Sequence, residues 1–124
     1  MPTAFTEGRH PGEFLLSEAN FHRSCDTIII ASGSGVIAPG TVLAKITASG
    51  KYKPSTATGS DGGETAIAVN LYGVDATSAD VKVAAITRDA EIKAFALAYD
   101  ATVNDDTKKA AKRTQLAAVG IISR

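Results

Sequence analysis

The chain has 124 residues, and its 13 Lys and Arg residues are balanced by 13 Asp and Glu residues, which leaves no formal net charge. This balance argues against direct binding of nucleic acid, which needs a basic surface. Hydrophobic residues at 44% and charged residues at 21% are typical of one soluble globular domain, and the lack of Trp predicts a thin core that favours oligomerisation.

The cysteine count and the hydropathy pattern bear on whether the protein has disulfides, is secreted or contacts a membrane. The single cysteine, Cys25, excludes an internal disulfide. The first 14 residues lack the apolar run of a signal peptide, so we expect synthesis and use without signal-directed secretion. The apolar run at residues 27–31 is far too short to cross a bilayer, so we expect no membrane contact.

The first 25 residues form a predicted extended arm, ahead of a single β-rich domain at residues 26–124. The arm combines Gly, Pro and charge with three of the four phenylalanines, Phe5, Phe14 and Phe21. Such a composition is typical of a mobile terminus, yet large aromatic side chains are the best anchors for burial. Two interpretations stay open: the arm completes its folding on another molecule, or it packs over its own domain.

The rest of the chain predicts strands in sequence. Strands are expected at residues 27–31, 41–47, 51–53 and 65–74, with a polar Gly-rich loop at residues 55–64. Pro39 and Gly40 predict a type II turn. Residues 81–88 and 91–99 predict a hairpin, whose second strand places Phe95, Leu97 and Tyr99 on one face and alanines on the other.

One helix is predicted near residues 105–119. Asn104, Asp105 and Asp106 supply capping groups, and Gly120 follows as a C-terminal stop. Its solvated face is expected to hold Lys108, Lys109, Lys112 and Arg113, opposite a thin face of Leu116 and alanines. A last strand follows Gly120. The fold class is therefore mainly β with one C-terminal α-helix and an extended N-terminal arm.

No group of residues predicts catalysis, a cofactor or a metal. His22 and Cys25 have metal-like spacing, but a zinc site needs four ligands and only His10 remains. Cys25 and His22 could also be a nucleophile and its base, but the sequence shows no third group that would orient them. Neither Gly33-x-Gly35 nor the glycines at 59, 62 and 63 lead into the helix of a phosphate-binding loop. We therefore expect that the protein is not an enzyme.

The order of these features resembles the lambda-type bacteriophage head decoration proteins. The resemblance runs from about Glu7 to the C-terminus and is carried by five segments and a closing Gly120-Ile121: EGRHPGEFLLSEA at 7–19, APGTVLA at 38–44, GKY at 50–52, RDAEI at 88–92 and NDDTKK at 104–109. It implies a β-clip-like homotrimer that caps the three-fold and pseudo-three-fold points of an expanded capsid. It also implies that the protein stabilises the capsid against DNA packaging pressure, on the outside of a virion assembled in the bacterial cytoplasm.

The family's N-terminal region docks on the major capsid protein. The best-known member has a Pro- and Ala-rich arm without the Phe14-Leu15-Leu16 run, so the docking residues are chosen here from this chain's own chemistry. We expect residues 13–18 to add as a strand to a capsid-protein edge, with Phe14 and Leu16 on one side and Leu15 on the other. The predicted docking residues are Phe5, Phe14, Leu15, Leu16 and Phe21.

Two other classes remain as alternatives. A trimeric β-clip enzyme of the dUTPase type would need metal-organising carboxylates and a Gly-rich C-terminal flap, and residues 120–124 do not have that pattern. A small ligand-binding β-module could use Tyr52, Tyr72 or Tyr99, although such aromatic residues more often serve a core or an interface.

Overall fold

The computed structural model describes residues 6–19 and 23–124, and it is mainly β with one helix near the C-terminus. Phe5 and Phe21 lie outside the described residues. The strands, in chain order, are β1 Leu15–Glu18, β2 Cys25–Ile30, β3 Gly35–Ile37, β4 Val42–Lys45, β5 Tyr52–Pro54, β6 Ala66–Asn70, β7 Val74–Ala76, β8 Val81–Ile86, β9 Ala90–Ile92 and β10 Ile121–Ser123. A 3-10 turn at Ala94–Ala96 and helix α1 at Asp106–Ala118 separate β9 from β10.

A small barrel forms the centre of the domain. Five strands close it in the order β2-β5-β4-β6-β8. The longest ladder joins β2 antiparallel to β8, from Cys25 opposite Ile86 to Ile30 opposite Val81. The β-branched residues of β2 suit such a pleated, half-buried surface, which is why the predicted strand at residues 27–31 is confirmed.

Two smaller sheets flank the barrel. The first has the order β1-β9-β10, with β1 antiparallel and β10 parallel to the central strand β9. The second pairs β3 with β7 in antiparallel register. The predicted hairpin of residues 81–88 with 91–99 is therefore wrong, because β8 pairs with β2 and β6 while β9 pairs with β1 and β10.

The apolar side chains form two cores. The first core joins the barrel, the three-stranded sheet and α1, and contains Phe14, Val42, Ala66, Val69, Ile86, Ala90, Ile92, Leu97, Leu116 and Ile121. The second core joins barrel strands to β3 and β7, and contains Ile28, Ile30, Ile37, Leu43, Ala68, Ala76, Val83 and Ala85. Phe14 is the only aromatic side chain among these buried residues.

Local turn and capping signals are confirmed. Gly40 has φ +83°, as the third position of the predicted type II turn requires, and the Thr41 amide donates to the Ala38 carbonyl at 3.3 Å. The Asp105 carboxylate caps α1 by accepting from the Lys108 amide at 2.8 Å. Gly120, with φ +87°, ends the helix and turns the chain into β10.

The faces of α1 differ from the prediction. Lys112 and Leu116, four residues apart, are its buried side chains, whereas Ala110, Ala111 and Ala117 are exposed. Lys112 was expected on the solvated face, but only 2% of it is exposed. Its ammonium donates to the carbonyls of Thr56 and Glu64, both at 2.6 Å, so the charged end is satisfied by the backbone of the loop before β6.

The segment at residues 94–99 also departs from the predicted strand. Ala94–Ala96 forms a 3-10 turn, which places Phe95 in solvent while Leu97 enters the first core. Phe95, Leu97 and Tyr99 therefore do not share a face. Alternation with alanine is compatible with a strand, and no local residue marked the turn in the sequence.

Candidate functional site

The predicted docking run, Phe14-Leu15-Leu16, is divided by the fold into a buried, a half-buried and an exposed side chain. Phe14 has no exposed surface, and the amide of Lys93 donates to its carbonyl at 2.7 Å. Leu15 lies opposite Ile92 in the β1–β9 ladder and packs against the first core. Leu16 is 48% exposed.

A bulge explains the outward position of Leu16. Leu15 and Ser17 pair with the consecutive residues Ile92 and Glu91, so the register shifts at Leu16 and leaves it without a cross-strand partner on β9. A bulge redirects a side chain in this way at the edge of a sheet. The result is a large apolar side chain on the edge strand of a three-stranded sheet.

The N-terminal segment is attached to its own domain on both sides of β1. The Gly12 amide donates to the Leu71 carbonyl at 3.1 Å, and the Arg9 guanidinium donates to the Ala96 carbonyl. After the strand, the Ala19 amide donates to the Ser24 hydroxyl at 2.8 Å. For residues 9–19 the structure therefore agrees with the second interpretation, in which the arm packs over its own domain.

The outer side of the three-stranded sheet is amphipathic. Ser17, Glu91 and Ile122 are register neighbours across β1, β9 and β10. Ile122 is 39% exposed, and the Arg124 guanidinium lies 3.1 Å from the Glu91 carboxylate. A surface groove of about 400 Å³ runs over this side, lined by Ser17, Glu18, Ala19, Arg23, Asp89, Ala90, Glu91, Gly120 and Ile122. In the described part of the chain, β1 and β10 each pair with β9 alone.

Cys25 is in a poor environment for a nucleophile. Its thiol lies 3.4 Å from the Glu18 carboxylate, and His22, its sequence neighbour, lies outside the described residues. Partial burial and the nearby carboxylates of Glu18 and Asp26 raise the pKa of the Cys25 thiol to about 11. A reactive cysteine needs the opposite shift, because the thiolate is the nucleophile.

Neither a metal cluster nor a membrane helix is present among the residues that the structure describes. Residues 6–19 and 23–124 contain no group of three or more His, Cys, Asp or Glu side chains placed to hold a metal ion. Within the same residues, no helix has the length and hydropathy to span a bilayer. Tyr52 and Tyr99 are half-buried and Tyr72 is exposed, so the three tyrosines do not share one environment.

The fold thus defines a mainly β protein with a small barrel, a single C-terminal helix and an exposed edge of sheet. The family model of bacteriophage lambda head decoration protein D matches residues 4–121 of the chain. The chain belongs to that family, which is structural rather than enzymatic and which places the protein on the phage capsid. A comparison with curated proteins found no match.

Proposed function

We propose that this protein is a cementing protein that binds as homotrimers at the three-fold and pseudo-three-fold sites of the expanded capsid. There it contacts the major capsid protein and stabilises the shell against the pressure of packaged DNA, on the exterior of the virion. Membership of the decoration protein family supports this assignment. The observation that carries the docking model is Leu16, exposed on the edge strand β1.

The outer edge of β1 suits the addition of a strand. An edge strand presents backbone N–H and C=O groups that a second chain can pair with. Leu16 and Ile122 supply apolar area near both edges of the same sheet, and Glu18, Asp89, Glu91 and Arg23 supply polar groups around the groove. In this proposal a strand of the major capsid protein pairs with β1 and covers Leu16.

Prior ordering makes the β1 edge a better docking element than a free arm. Ordering a flexible residue costs roughly 1–2 kcal/mol, a cost that residues 12–19 have already met within their own domain. Each backbone hydrogen bond adds on the order of 1 kcal/mol net, and burial of one Leu adds roughly 1.5–3 kcal/mol. Phe14 contributes indirectly, because its burial in the first core holds the start of β1 in place.

The docking role of Leu16 is tested by adding a charge at its position. We expect Leu16→Asp to abolish binding to the cognate expanded shell while the free protein stays folded, because a carboxylate buried against a capsid strand would be unpaired. The measurement is an electron-microscopy reconstruction of shells incubated with the wild type or with the variant. Trimeric density at the three-fold points is expected for the wild type only.

Ile29→Asp is the matched control, since Ile29 is an exposed apolar residue on β2 of the barrel, outside the three-stranded sheet. It should decorate shells as the wild type does. Full occupancy with Leu16→Asp would refute docking through β1, and bare shells with the wild type would refute the cementing function itself.

A further inference from the structure

Backbone hydrogen bonds to residues that flank β9 hold both ends of β1. Just before β1 begins, the Phe14 carbonyl accepts from the Lys93 amide at 2.7 Å. Just after β1 ends, the Ala19 amide donates to the Asp89 carbonyl at 3.2 Å. The β1–β9 ladder is therefore fixed at two points, one on each side of the exposed Leu16.

The chain between these two bonds is one residue longer on the side of β1. Residues 14–19 face residues 89–93, so that six residues on one side lie opposite five on the other. A bulge is how an antiparallel pair accommodates one extra residue. Leu15 pairs with Ile92 and Ser17 pairs with Glu91, which leaves Leu16 as the extra residue. The position of Leu16 is thus a consequence of the two fixed ends.

A buried serine secures the second of these ends. Ser24 has no exposed surface, and its hydroxyl accepts from the Ala19 amide and donates to the Asp89 carbonyl, both at 2.8 Å. The Ser24 carbonyl in turn accepts from the Thr87 amide at 2.9 Å, which ties the serine to the segment between β8 and β9. The hydroxyl therefore uses its donor and its acceptor to join the same two groups that end β1.

Asp89 has a backbone conformation that few side chains adopt. Its φ is +50°, and it is the only non-Gly residue with a positive φ among the residues that the structure describes. Asp and Asn visit this left-handed region more readily than other residues, and β-branched residues do so least. In this conformation the Asp89 carbonyl accepts from both Ala19 and Ser24.

From these contacts we infer that Ser24 and Asp89, which we call the latch, are positioning residues of the docking edge. The latch fixes the register of β1 and so holds Leu16 in the bulge. The inference rests on the proposed docking through β1 and adds the residues that set its geometry. Without the latch, β1 is free to adopt the regular register, in which Leu16 lies opposite Glu91 and the later residues of β1 exchange faces. Because Ser24 is fully buried, its effect on shell binding passes through β1.

Removal of the Ser24 hydroxyl tests the latch. In Ser24→Ala the Ala19 amide loses one acceptor and the Asp89 carbonyl loses one donor. We expect amide hydrogen exchange at residues 16–19 to accelerate by about tenfold or more, because the second end of β1 opens more often. Affinity for cognate shells, measured by co-sedimentation over a range of protein concentrations, is expected to fall by about tenfold or more, since linked edges add their losses.

Ser55→Ala is the matched control. Ser55 is also buried, with 2% of its surface exposed, and its hydroxyl donates to the Gly63 carbonyl at 3.0 Å in the loop after the barrel strand β5. This variant should lower the midpoint of thermal unfolding about as much as Ser24→Ala does. It should leave exchange in β1 and shell affinity unchanged, whereas a role of Ser24 in stability alone would give both variants the same shell affinity.

Two substitutions at Asp89 separate its backbone conformation from its side chain. Gly adopts a positive φ freely, whereas Val does so rarely. Asp89→Gly should therefore keep shell affinity within about threefold of the wild type. It should do so although it removes the carboxylate that lies 3.6 Å from the Arg23 guanidinium. Asp89→Val is expected to lose about tenfold or more in shell affinity and to accelerate exchange at residues 16–19.

The outcomes separate the latch from the proposed function. Wild-type shell affinity in Ser24→Ala, or equal losses in Ser24→Ala and Ser55→Ala, would overturn the latch, while docking through β1 would still stand on the result for Leu16→Asp. Equal shell affinities of Asp89→Gly and Asp89→Val would overturn the part assigned to the left-handed turn. Bare shells with the wild type would refute the cementing function, and the inference would fail with it.

Discussion

Among the residues that the structure describes, Phe14 provides the largest fully buried side chain, and it comes from a segment otherwise rich in Gly, Pro and charge. Its ring lies 3.5 Å from the position that a Cβ on Gly40 would occupy, so the ring packs against the type II turn. Its carbonyl accepts from Lys93, which anchors the start of β1 beside β9. One residue thus connects the N-terminal segment, a barrel turn and the three-stranded sheet.

Phe14→Ala is expected to destabilise the fold by about 3–5 kcal/mol, the usual cost of truncating a buried Phe. This is a large part of the 5–15 kcal/mol by which a domain of this size is typically stable. Chemical denaturation at a fixed protein concentration measures the change. Phe95→Ala truncates the same residue type at an exposed position, and its monomer stability should change by less than about 0.5 kcal/mol. Equal effects of the two substitutions would contradict the burial of Phe14.

At the scale of elements, the contact between α1 and the loop at residues 55–64 depends on one lysine. The loop has almost no apolar side chain with which to pack, but the Lys112 ammonium donates to two of its carbonyls from the buried face of α1. The Gln115 side chain adds a bond from the Ala66 amide at 2.8 Å. Burial lowers the pKa of Lys112, and the charges of Glu64 and Asp100 oppose that shift.

Lys112→Met tests this arrangement while preserving the length of the side chain. The carbonyls of Thr56 and Glu64 lose their charged donor, and an unsatisfied buried acceptor costs roughly 1–3 kcal/mol. Relief from burying a charge offsets part of this loss, so we expect a net destabilisation of about 1–3 kcal/mol. Amide hydrogen exchange should accelerate at residues 56–64.

Lys108→Met is the control on the same helix, because Lys108 is exposed. It should change stability by less than about 0.5 kcal/mol and leave exchange in the loop unchanged. If Lys112→Met behaves in the same way, the ammonium does not organise the loop.

The sequence identified the elements that depend on local chemistry. Pro39 and Gly40 predicted their turn, and Asp105 and Gly120 marked the ends of α1, because these residues act on the backbone within a few positions. Strand partners depend on contacts far apart in the chain, so the hairpin of β8 with β9 was predicted wrongly. The buried Lys112 was also missed, since helical periodicity does not show that loop carbonyls will accept from a charged residue.

The predicted docking residues also show that contacts between distant parts of the chain could not be predicted from the sequence. The sequence placed Phe14, Leu15 and Leu16 together as large apolar residues in a polar segment. Only packing against β9 and the bulge at Leu16 divided them into core and surface.

At the scale of the whole molecule, the proposed docking edge depends on how many copies bind together. In the proposed trimer, three β1 edges face a three-fold site at the same time. Linked binding sites gain affinity without any new contact, so a weak contact at each edge is sufficient for tight binding.

This dependence on linked edges predicts that a small loss at each edge is amplified in the proposed trimer. Leu16→Ala removes part of the half-exposed apolar surface that each edge would bury, a loss of roughly 1 kcal/mol per edge. Three linked edges incur this loss three times, so shell affinity is expected to fall by about 100-fold. Co-sedimentation with cognate shells over a range of protein concentrations measures the difference, and Ile29→Ala, at an exposed position on β2, is the control. A variant with the shell affinity of the wild type would mean that the shell does not cover Leu16.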